Sequence, residues 1–145
     1  MGESGHRIRR AVDDDLSALG DVDPAVRRGS DRTAFLRDAV RDHRAWVVEG
    51  AGGVIGYGVI SHGFFGRSFI ELVYVAEAHR SSGYGPQMVT FLEGQSRSND
   101  VFTSTNASNS HMQHVLEKLG YERAGVIHHL DPGDPELVYV KRGVL

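Results

Sequence analysis

The segment from Phe69 to Val75 constrains the fold of this chain more than any other. Read as a β-strand, it is apolar on both faces except for Glu71. Because a strand with two apolar faces must be covered on both sides, the segment predicts a central strand of a sheet that lies between other layers of structure. The single carboxylate on an otherwise apolar strand is the feature that this interpretation leaves to be explained.

The residues after this strand predict a loop, a helix and a second strand. Arg80 to Gly85 is a glycine-containing loop, Pro86 suits the first turn of a helix, and Val101 to Thr105 is a β-like run. Further strands are predicted at His6 to Val12, Ala45 to Glu49, Val54 to Ser61, Tyr121 to Leu130 and Leu137 to Lys141. Further helices are predicted at the acidic run Asp13 to Asp15, after a cap at Ser30 or Asp31, and from Ser110 to Leu119. The pattern predicts a mixed α/β (α+β) domain with about six or seven strands.

Length and composition bound the classes of protein to which the chain can belong. At 145 residues it has the size of one domain, 1–145, and such a domain buries about two thirds of the surface of its unfolded chain. The formal net charge of -3 gives no general attraction to nucleic acid or to an anionic membrane, and no signal peptide is evident. The absence of cysteine excludes disulfides, thiolate metal sites and a cysteine nucleophile. We therefore expect a cytoplasmic protein with no nucleic-acid or membrane partner.

The loop from Arg80 to Gly85 has the character of an anion site. It lies between a strand and a helix, so backbone N–H groups are free at the positive end of the helix dipole. Its glycines permit a tight path, and Arg80 can add a charged contact. It lacks the Lys-Ser/Thr ending of a nucleotide P-loop and the three-glycine spacing of a dinucleotide fold. Taken alone, the loop is compatible with phosphate binding and also with a glycine-rich turn that only begins a helix.

Two segments carry a resemblance to a known family. Val75 to Gly85 resembles the acetyl-CoA signature of the GNAT acetyltransferase superfamily, R/Q-x-x-G-x-G/A after a β-strand. Asn109 to Tyr121 is similar to the second cofactor motif of that superfamily, an Asn followed eleven residues later by Gly and an aromatic residue. The predicted strands and helices follow the expected succession over nearly the full chain. The sequence departs from the pattern at Glu77, where proline is usual, and at Pro86, which removes one N–H just after the loop.

The resemblance implies a fold and a cofactor. The fold is a mixed, mostly antiparallel sheet of six to seven strands flanked by about four helices, with a splay between the strands near 69–75 and 101–105. The cofactor is acetyl-CoA, with its pyrophosphate on the loop and its pantetheine arm on the preceding strand, and no metal is implied. The implied cofactor-binding residues are Val73, Tyr74, Val75, Arg80, Ser81, Ser82, Gly83, Tyr84, Gly85 and Asn109.

The resemblance also implies an activity, the transfer of an acetyl group from acetyl-CoA to a primary amine of a small molecule or peptide. Since no cysteine can form a covalent intermediate, we expect direct attack by the amine in a ternary complex. Glu71 is the candidate general base, because desolvation on an apolar face would favour proton uptake near neutral pH. The alternative for Glu71 is a carboxylate at an open patch of the sheet. The resemblance implies the backbone N–H of Val75 as the donor to the oxyanion.

The general acid is not assigned by the resemblance. Many members of the superfamily have a tyrosine where this chain has Leu116. Tyr121 is the catalytic candidate that we retain, and a thiolate can also leave without help. Other candidates on or near the second motif are Ser108, His111 and His114. The missing tyrosine leaves open a second class of function, a catalytically degenerate acyl-CoA-binding or regulatory module.

Three acidic residues near the last predicted hairpin bear on the acceptor. Asp131, Asp134 and Glu136 could attract a cationic amine, although their proline and glycine neighbours fit turn chemistry equally well. The shape of the acceptor pocket is expected to depend on residues around 20–45, 61–68 and 128–136, so the sequence alone does not identify the acceptor. Many members of the superfamily dimerise, which leaves a homodimer open for this chain.

Overall fold

The computed structural model describes residues 6–27 and 31–145, and within them a sheet of seven strands. The strands are β1 (Arg7–Arg10), β2 (Ala45–Gly50), β3 (Gly53–Phe64), β4 (Arg67–Val75), β5 (Val101–Asn106), β6 (Glu122–Ile127) and β7 (Glu136–Lys141). The helices are α1 (Asp15–Val22), α2 (Pro24–Arg27), α3 (Asp31–Arg41), α4 (Tyr84–Glu93) and α5 (Ser110–Lys118), and a short 3₁₀ turn, Glu77–His79, precedes α4. The architecture confirms the predicted α/β fold class.

The sheet is mixed and mostly antiparallel, with strand order β1-β2-β3-β4-β5-β7-β6. The pairs β1/β2, β2/β3, β5/β7 and β6/β7 are antiparallel, and β4/β5 is parallel. The parallel ladder runs from Ser68 opposite Val101 to Ile70 opposite Thr103. Because β4 is the fourth of the seven strands, the prediction of a central strand from its two apolar faces is confirmed.

The chain divides into two compact units. One comprises residues up to Val59 together with Leu72–Phe91, and the other comprises Ile60–Glu71 and Leu92–Leu145. Both β3 and β4 pass from one unit into the other. The prediction of one domain over 1–145 stays a prediction.

The core of the first unit lies between the first three helices and the sheet. Its fully buried members include Leu19, Leu36, Val47, Tyr57 and Val59. Helix α3 follows from its sequence, because apolar residues recur at spacings of three and four and turn Leu36, Ala39 and Val40 inward. The predicted cap at Ser30 lies outside the described residues, whereas Asp31 is the first residue of the helix.

The start of α1 differs from the expected cap. Asp14 occupies the N-cap position, but its side chain makes no capping hydrogen bond. The Asp15 carboxylate makes other contacts: it accepts a hydrogen bond from the Val12 backbone N–H at 2.7 Å and a bidentate pair from the Arg9 guanidinium at 2.9 Å. These contacts lower the pKa of the Asp15 carboxyl, chiefly through the Arg9 hydrogen bonds. The acidic run therefore ties β1 to the first helix.

The second unit contains the β5/β7/β6 part of the sheet and α5. The hydroxyl of Thr103 donates to the carbonyl of Ile70 at 2.9 Å, which adds a side-chain bond to the parallel ladder. Helix α5 ends as the sequence predicts, because Gly120 adopts φ 95° and the Tyr121 N–H reaches back to the Leu116 carbonyl at 3.0 Å. None of the described helices is long and apolar enough to cross a membrane.

Candidate active site

The anion loop, defined here as Arg80 to Gly85, connects the 3₁₀ turn to α4. Ser81 has φ 68° and Gly83 has φ 92°, so two of its residues adopt left-handed backbone conformations. Within the described part of the chain, the backbone N–H groups of Ser81, Ser82 and Gly83 make no hydrogen bond. Unpaired N–H groups at a helix N-terminus form a concave site that favours an anion. The loop therefore has a backbone geometry that suits an anion, and its binding of an anion stays a prediction.

Arg80 is held at the edge of this loop by two contacts. Its Nε donates to the Val75 carbonyl at 2.9 Å, and its guanidinium carbon lies 5.1 Å from the centroid of the Tyr74 ring. No hydrogen bond to either terminal nitrogen of the guanidinium is found among the described residues. These two nitrogens remain available as donors to a phosphate oxygen.

The end of β4 is supported by β3. The Ala76 N–H donates to the Ile55 carbonyl at 2.8 Å. Gly56 lies so close to β4 that a Cβ atom there would come 2.7 Å from the Tyr74 carbonyl oxygen. A glycine is needed for this approach, which fixes the backbone just before the anion loop.

A cavity of about 370 Å³ adjoins the anion loop in the first unit, and Tyr84 and His79 line it together with His6 and the turn between β2 and β3. The His6 ring meets the Tyr84 ring edge-on, with centroids 5.1 Å apart, and its Nε2 lies 3.0 Å from the Gln87 side-chain oxygen. The loop is thus bordered on this side by a cavity of the size that small ligands occupy.

Asn109, the predicted contact to the pantetheine arm, caps α5. Its side-chain oxygen accepts a hydrogen bond from the Met112 N–H at 3.0 Å. An asparagine at this position satisfies one of the N–H groups that the first turn of a helix leaves unpaired. The residue has a structural role in the second unit, and its contact to a cofactor stays a prediction.

Glu71, the candidate base, is exposed. The prediction that its carboxylate is desolvated on an apolar face is wrong, because the position opens to solvent. Glu71 lies one residue beyond Ile70, where the pairing of β4 with β5 ends. The structure thus corresponds to the alternative, a carboxylate at an open patch of the sheet, and the catalytic role of Glu71 stays a prediction.

Tyr121, the candidate acid, is buried with only 4% of its surface exposed. Its hydroxyl donates to Glu93 at 2.9 Å, and Lys141 lies 3.2 Å from the same carboxylate. Burial, followed by the Glu93 charge, raises the pKa of Tyr121 well above its usual value. A buried phenol that already donates to a carboxylate is poorly suited to release its proton to a thiolate, so the geometry weighs against the acid role.

The other acid candidates differ in their surroundings. Ser108 donates to Asp134 at 2.6 Å, while His111 and His114 are exposed on α5. Leu116, at the position of the superfamily's tyrosine, is fully buried. No described residue of α5 therefore has the character of a buried proton donor.

A buried polar cluster of the first unit was missed by the sequence interpretation. The Tyr57 hydroxyl donates to Asp23 at 2.5 Å, and Arg32 donates to the same carboxylate oxygen at 2.6 Å and to the Tyr57 oxygen at 3.0 Å. Burial is the largest cause that raises the pKa of Tyr57 above its usual value. The signal that could have located this cluster is a tyrosine between two glycines, in a strand whose other residues are small or apolar.

The sequence interpretation also missed the hydrogen bonds that orient the carboxylates of the acidic turn between β6 and β7. Three polar residues, at alternate positions along the end of β5 and just beyond this strand, each donate to one carboxylate at or next to the turn. The pairs are Ser104 with Glu136 at 2.7 Å, Asn106 with Asp131 at 2.9 Å and Ser108 with Asp134 at 2.6 Å. Since all three donors are neutral, these contacts leave the negative charge of the turn uncompensated.

Comparison with known proteins agrees with these features. The model of the acetyltransferase (GNAT) family matches residues 12–121. Among solved structures, a GNAT-family acetyltransferase from Bacillus cereus ATCC 10987 is 27% identical with a TM-score of 0.86, over 94% of this chain and 96% of that chain. A comparison with curated proteins finds no significant match.

Two further structures share the fold. Ribosomal-protein-alanine N-acetyltransferase from Brucella melitensis is 23% identical with a TM-score of 0.75, over 94% of this chain and 99% of that chain. The Salmonella typhimurium protein yncA, solved with its cofactor acetyl-CoA, is 18% identical with a TM-score of 0.75, over 95% of this chain and 94% of that chain. Because the family model covers most of the chain and the fold agrees, the resemblance found in the sequence is confirmed, and the chain belongs to the GNAT family of acetyltransferases.

Proposed function

We propose that this protein transfers an acetyl group from acetyl-CoA to a primary amine of a small molecule or peptide, by direct attack of the amine in a ternary complex. The observation that carries the proposal is the anion loop, whose N–H groups at Ser81, Ser82 and Gly83 are unpaired and whose Arg80 has two available terminal nitrogens. This arrangement fits a pyrophosphate, which offers several oxygen acceptors to converging donors.

The cofactor supplies an activated acetyl group, and the residues of the chain bind and orient it. The anion loop would hold the pyrophosphate, and the backbone of Val73, Tyr74 and Val75 would hold the pantetheine arm. Gly56 supports this role, because its close approach fixes the Tyr74 carbonyl and the backbone next to it. Fixed backbone donors can stabilise developing negative charge without reorganising, so the Val75 N–H is the proposed oxyanion donor.

Proton transfer is assigned to Glu71 and to solvent. The acceptor ammonium first gives one proton to solvent, so that the attacking nitrogen is neutral. This nitrogen then forms a bond to the acetyl carbon, the carbon–sulfur bond breaks, and the second proton passes from the nitrogen to the Glu71 carboxylate directly or through water. The exposed position of Glu71 supports this exchange. The thiolate leaves without a dedicated acid, since Tyr121 is already bonded to Glu93.

The acidic turn between β6 and β7 supports a cationic acceptor. Its carboxylates, Asp131, Asp134 and Glu136, are oriented by neutral donors, which leaves a local negative charge that attracts an ammonium group. The similar protein from Brucella melitensis is named a ribosomal-protein-alanine N-acetyltransferase, and this name supports including a peptide amine in the proposed class of acceptors.

Binding and turnover test the proposal separately. Thermal shift and calorimetry with acetyl-CoA, CoA and ATP should show binding of the first two and none of ATP. Mass spectrometry with a panel of amines and peptides should then show a product heavier by one acetyl group. Binding of acetyl-CoA with no product from any amine would favour the catalytically degenerate module, and stabilisation by ATP alone would contradict both functions.

A further inference from the structure

The side chain of Tyr74 lies between two groups of the first unit. Its ring stacks on the Tyr57 ring, with centroids 5.9 Å apart and planes inclined by 23°. The guanidinium of Arg80 lies 5.1 Å from the centroid of the Tyr74 ring. Within the described part of the chain, the Tyr74 hydroxyl makes no hydrogen bond, so the contacts of this side chain are made by its ring.

Tyr57 anchors this stack to the core. Its ring is completely buried, and its hydroxyl is held by Asp23 and Arg32. Asp23 is itself 2% exposed and accepts a further hydrogen bond from the Ala25 N–H at 2.9 Å. A ring fixed in this way has little freedom to move, so the face that Tyr74 presents to Arg80 is fixed as well.

An exposed arginine at a binding site ordinarily loses rotamer freedom when an anion orders it. Arg80 is already ordered by two contacts, that of its guanidinium carbon with the Tyr74 ring and the hydrogen bond from Nε to the Val75 carbonyl. The terminal nitrogens, which form the fork that matches a phosphate, do not take part in this hydrogen bond. The side chain is therefore arranged for an anion before one binds.

From these contacts we propose that Tyr74 is a positioning residue for the cofactor pyrophosphate, acting through Arg80. The ring of Tyr74, fixed by Tyr57, holds the guanidinium beside the anion loop with its two terminal nitrogens free. The inference rests on the proposed function, because it takes CoA to be the molecule that carries the pyrophosphate. It adds a role for the Tyr74 side chain, whereas the proposed function uses only the backbone of this residue.

The test compares two ligands that differ in the pyrophosphate. Dissociation constants for CoA and for pantetheine, which lacks the pyrophosphate and the adenosine, are measured by calorimetry or ligand-observed NMR. Tyr74→Leu should weaken CoA binding about 3- to 10-fold, the range expected when a cation–π contact and its ordering of Arg80 are lost. Pantetheine binding should stay within about two-fold of wild type, since the β4 backbone is retained.

Two further variants separate the ring from the hydroxyl and from the fold. Tyr74→Phe retains the ring and should restore CoA binding to within about two-fold of wild type. In an Arg80→Ala background, Tyr74→Leu should have no further effect on CoA, because the group through which it acts is gone. Tyr74→Met, which keeps apolar volume without a ring, is the second variant if Tyr74→Leu does not fold, and the same result is expected.

Several outcomes would overturn the inference. Equal weakening of CoA and pantetheine by Tyr74→Leu would place the effect in the β4 backbone, and additive effects of the Tyr74 and Arg80 substitutions would remove Arg80 from the explanation. A Tyr74→Phe variant as weak as Tyr74→Leu would assign the effect to the hydroxyl. If the wild-type protein binds neither CoA nor acetyl-CoA, the proposed function fails and this inference fails with it, whereas normal wild-type binding with unaffected variants refutes the inference alone.

Discussion

The anion loop and the cluster of Tyr121, Glu93 and Lys141 are both built from polar groups, but they differ in how those groups are paired. In the loop, three successive backbone N–H groups have no partner among the described residues and two guanidinium nitrogens remain available. In the cluster, the Tyr121 hydroxyl and the Lys141 ammonium both reach the Glu93 carboxylate. Satisfied buried groups hold a structure together, while unsatisfied exposed ones are available to a ligand. The pairing of polar groups therefore distinguishes a proposed binding site from a part of the structure that supports the fold.

Among the polar residues of the two regions and their surroundings, we expect the largest effect of a substitution at Glu71. Glu71→Gln should lower kcat for acetyl transfer about 100-fold, because a positioned base contributes at least that much to a proton transfer. The melting temperature should stay the same, since the residue is exposed. Steady-state kinetics with an amine identified by mass spectrometry, together with thermal melts, measures both. An unchanged kcat would remove Glu71 from the mechanism.

Gly56 lies on β3 beside the end of β4, next to the proposed binding site. Gly56→Ala should destabilise the protein by about 2 to 3 kcal/mol, because the new Cβ would lie 2.7 Å from the Tyr74 backbone oxygen and one of the strands must move. CoA affinity should fall as well, and urea unfolding and calorimetry measure the two effects.

Gly52→Ala is the matched control for this substitution. A Cβ atom at Gly52 would meet no atom within 4 Å, so stability and CoA affinity should both be retained. Equal behaviour of the two variants would refute the close-approach explanation for Gly56.

Tyr121→Phe tests whether the buried hydroxyl of Tyr121 supports the fold or takes part in the chemistry. Loss of the hydroxyl that donates to Glu93 should lower the free energy of unfolding by about 1 to 2 kcal/mol, because the bond is buried and its acceptor is charged. The kcat for acetyl transfer should not change. A large loss of kcat with normal stability would restore Tyr121 as the acid and show that a buried, paired hydroxyl can take part in the chemistry.

Tyr139 supplies a control within the same unit. Its hydroxyl is buried and has no hydrogen-bond partner among the described residues, although its ring is as buried as that of Tyr121. Removing an unsatisfied polar group avoids its desolvation penalty, so Tyr139→Phe should leave stability unchanged or raise it by up to about 1 kcal/mol. Chemical denaturation of the two variants side by side distinguishes a paired hydroxyl from an unpaired one.

The smallest effect is expected for the ion pair of Arg9 and Asp15. Because Arg9 lowers the pKa of Asp15 in the folded state, the pair contributes stability above the unfolded value of about 4 and loses it as pH falls toward the folded value. Asp15→Asn should therefore cost about 1 kcal/mol at pH 7 and progressively less in acid.

Melting curves across the acid range measure this dependence. Asp38→Asn is the control, since its partner Arg41 is 67% exposed and the pair should contribute almost nothing at any pH. A cost of Asp15→Asn that does not diminish in acid would show that the Asp15 charge is not the cause.

Sequence patterns anticipated most of the fold and the anion loop. Periodicity located β4 and α3, and Gly120 correctly predicted the end of α5. Helix α2 was missed, because four residues beginning with proline carry too little periodicity to identify a helix. The predicted burial of Glu71 was also wrong, because alternation along a strand tells which face a residue shares but not what covers that face.

Glycine spacing, capping residues and hydrophobic period are local properties of the chain, so the residues alone indicated the order of the elements and the family. The packed structure was needed to see that Tyr121 is bonded to Glu93 and that Tyr74 lies between Tyr57 and Arg80. Contacts such as that of Tyr121 with Glu93, 28 positions apart, depend on how strands and helices pack and leave no fixed spacing in the sequence. Burial and pairing, which decide whether a polar side chain supports the fold or binds a ligand, are therefore read from the packed structure.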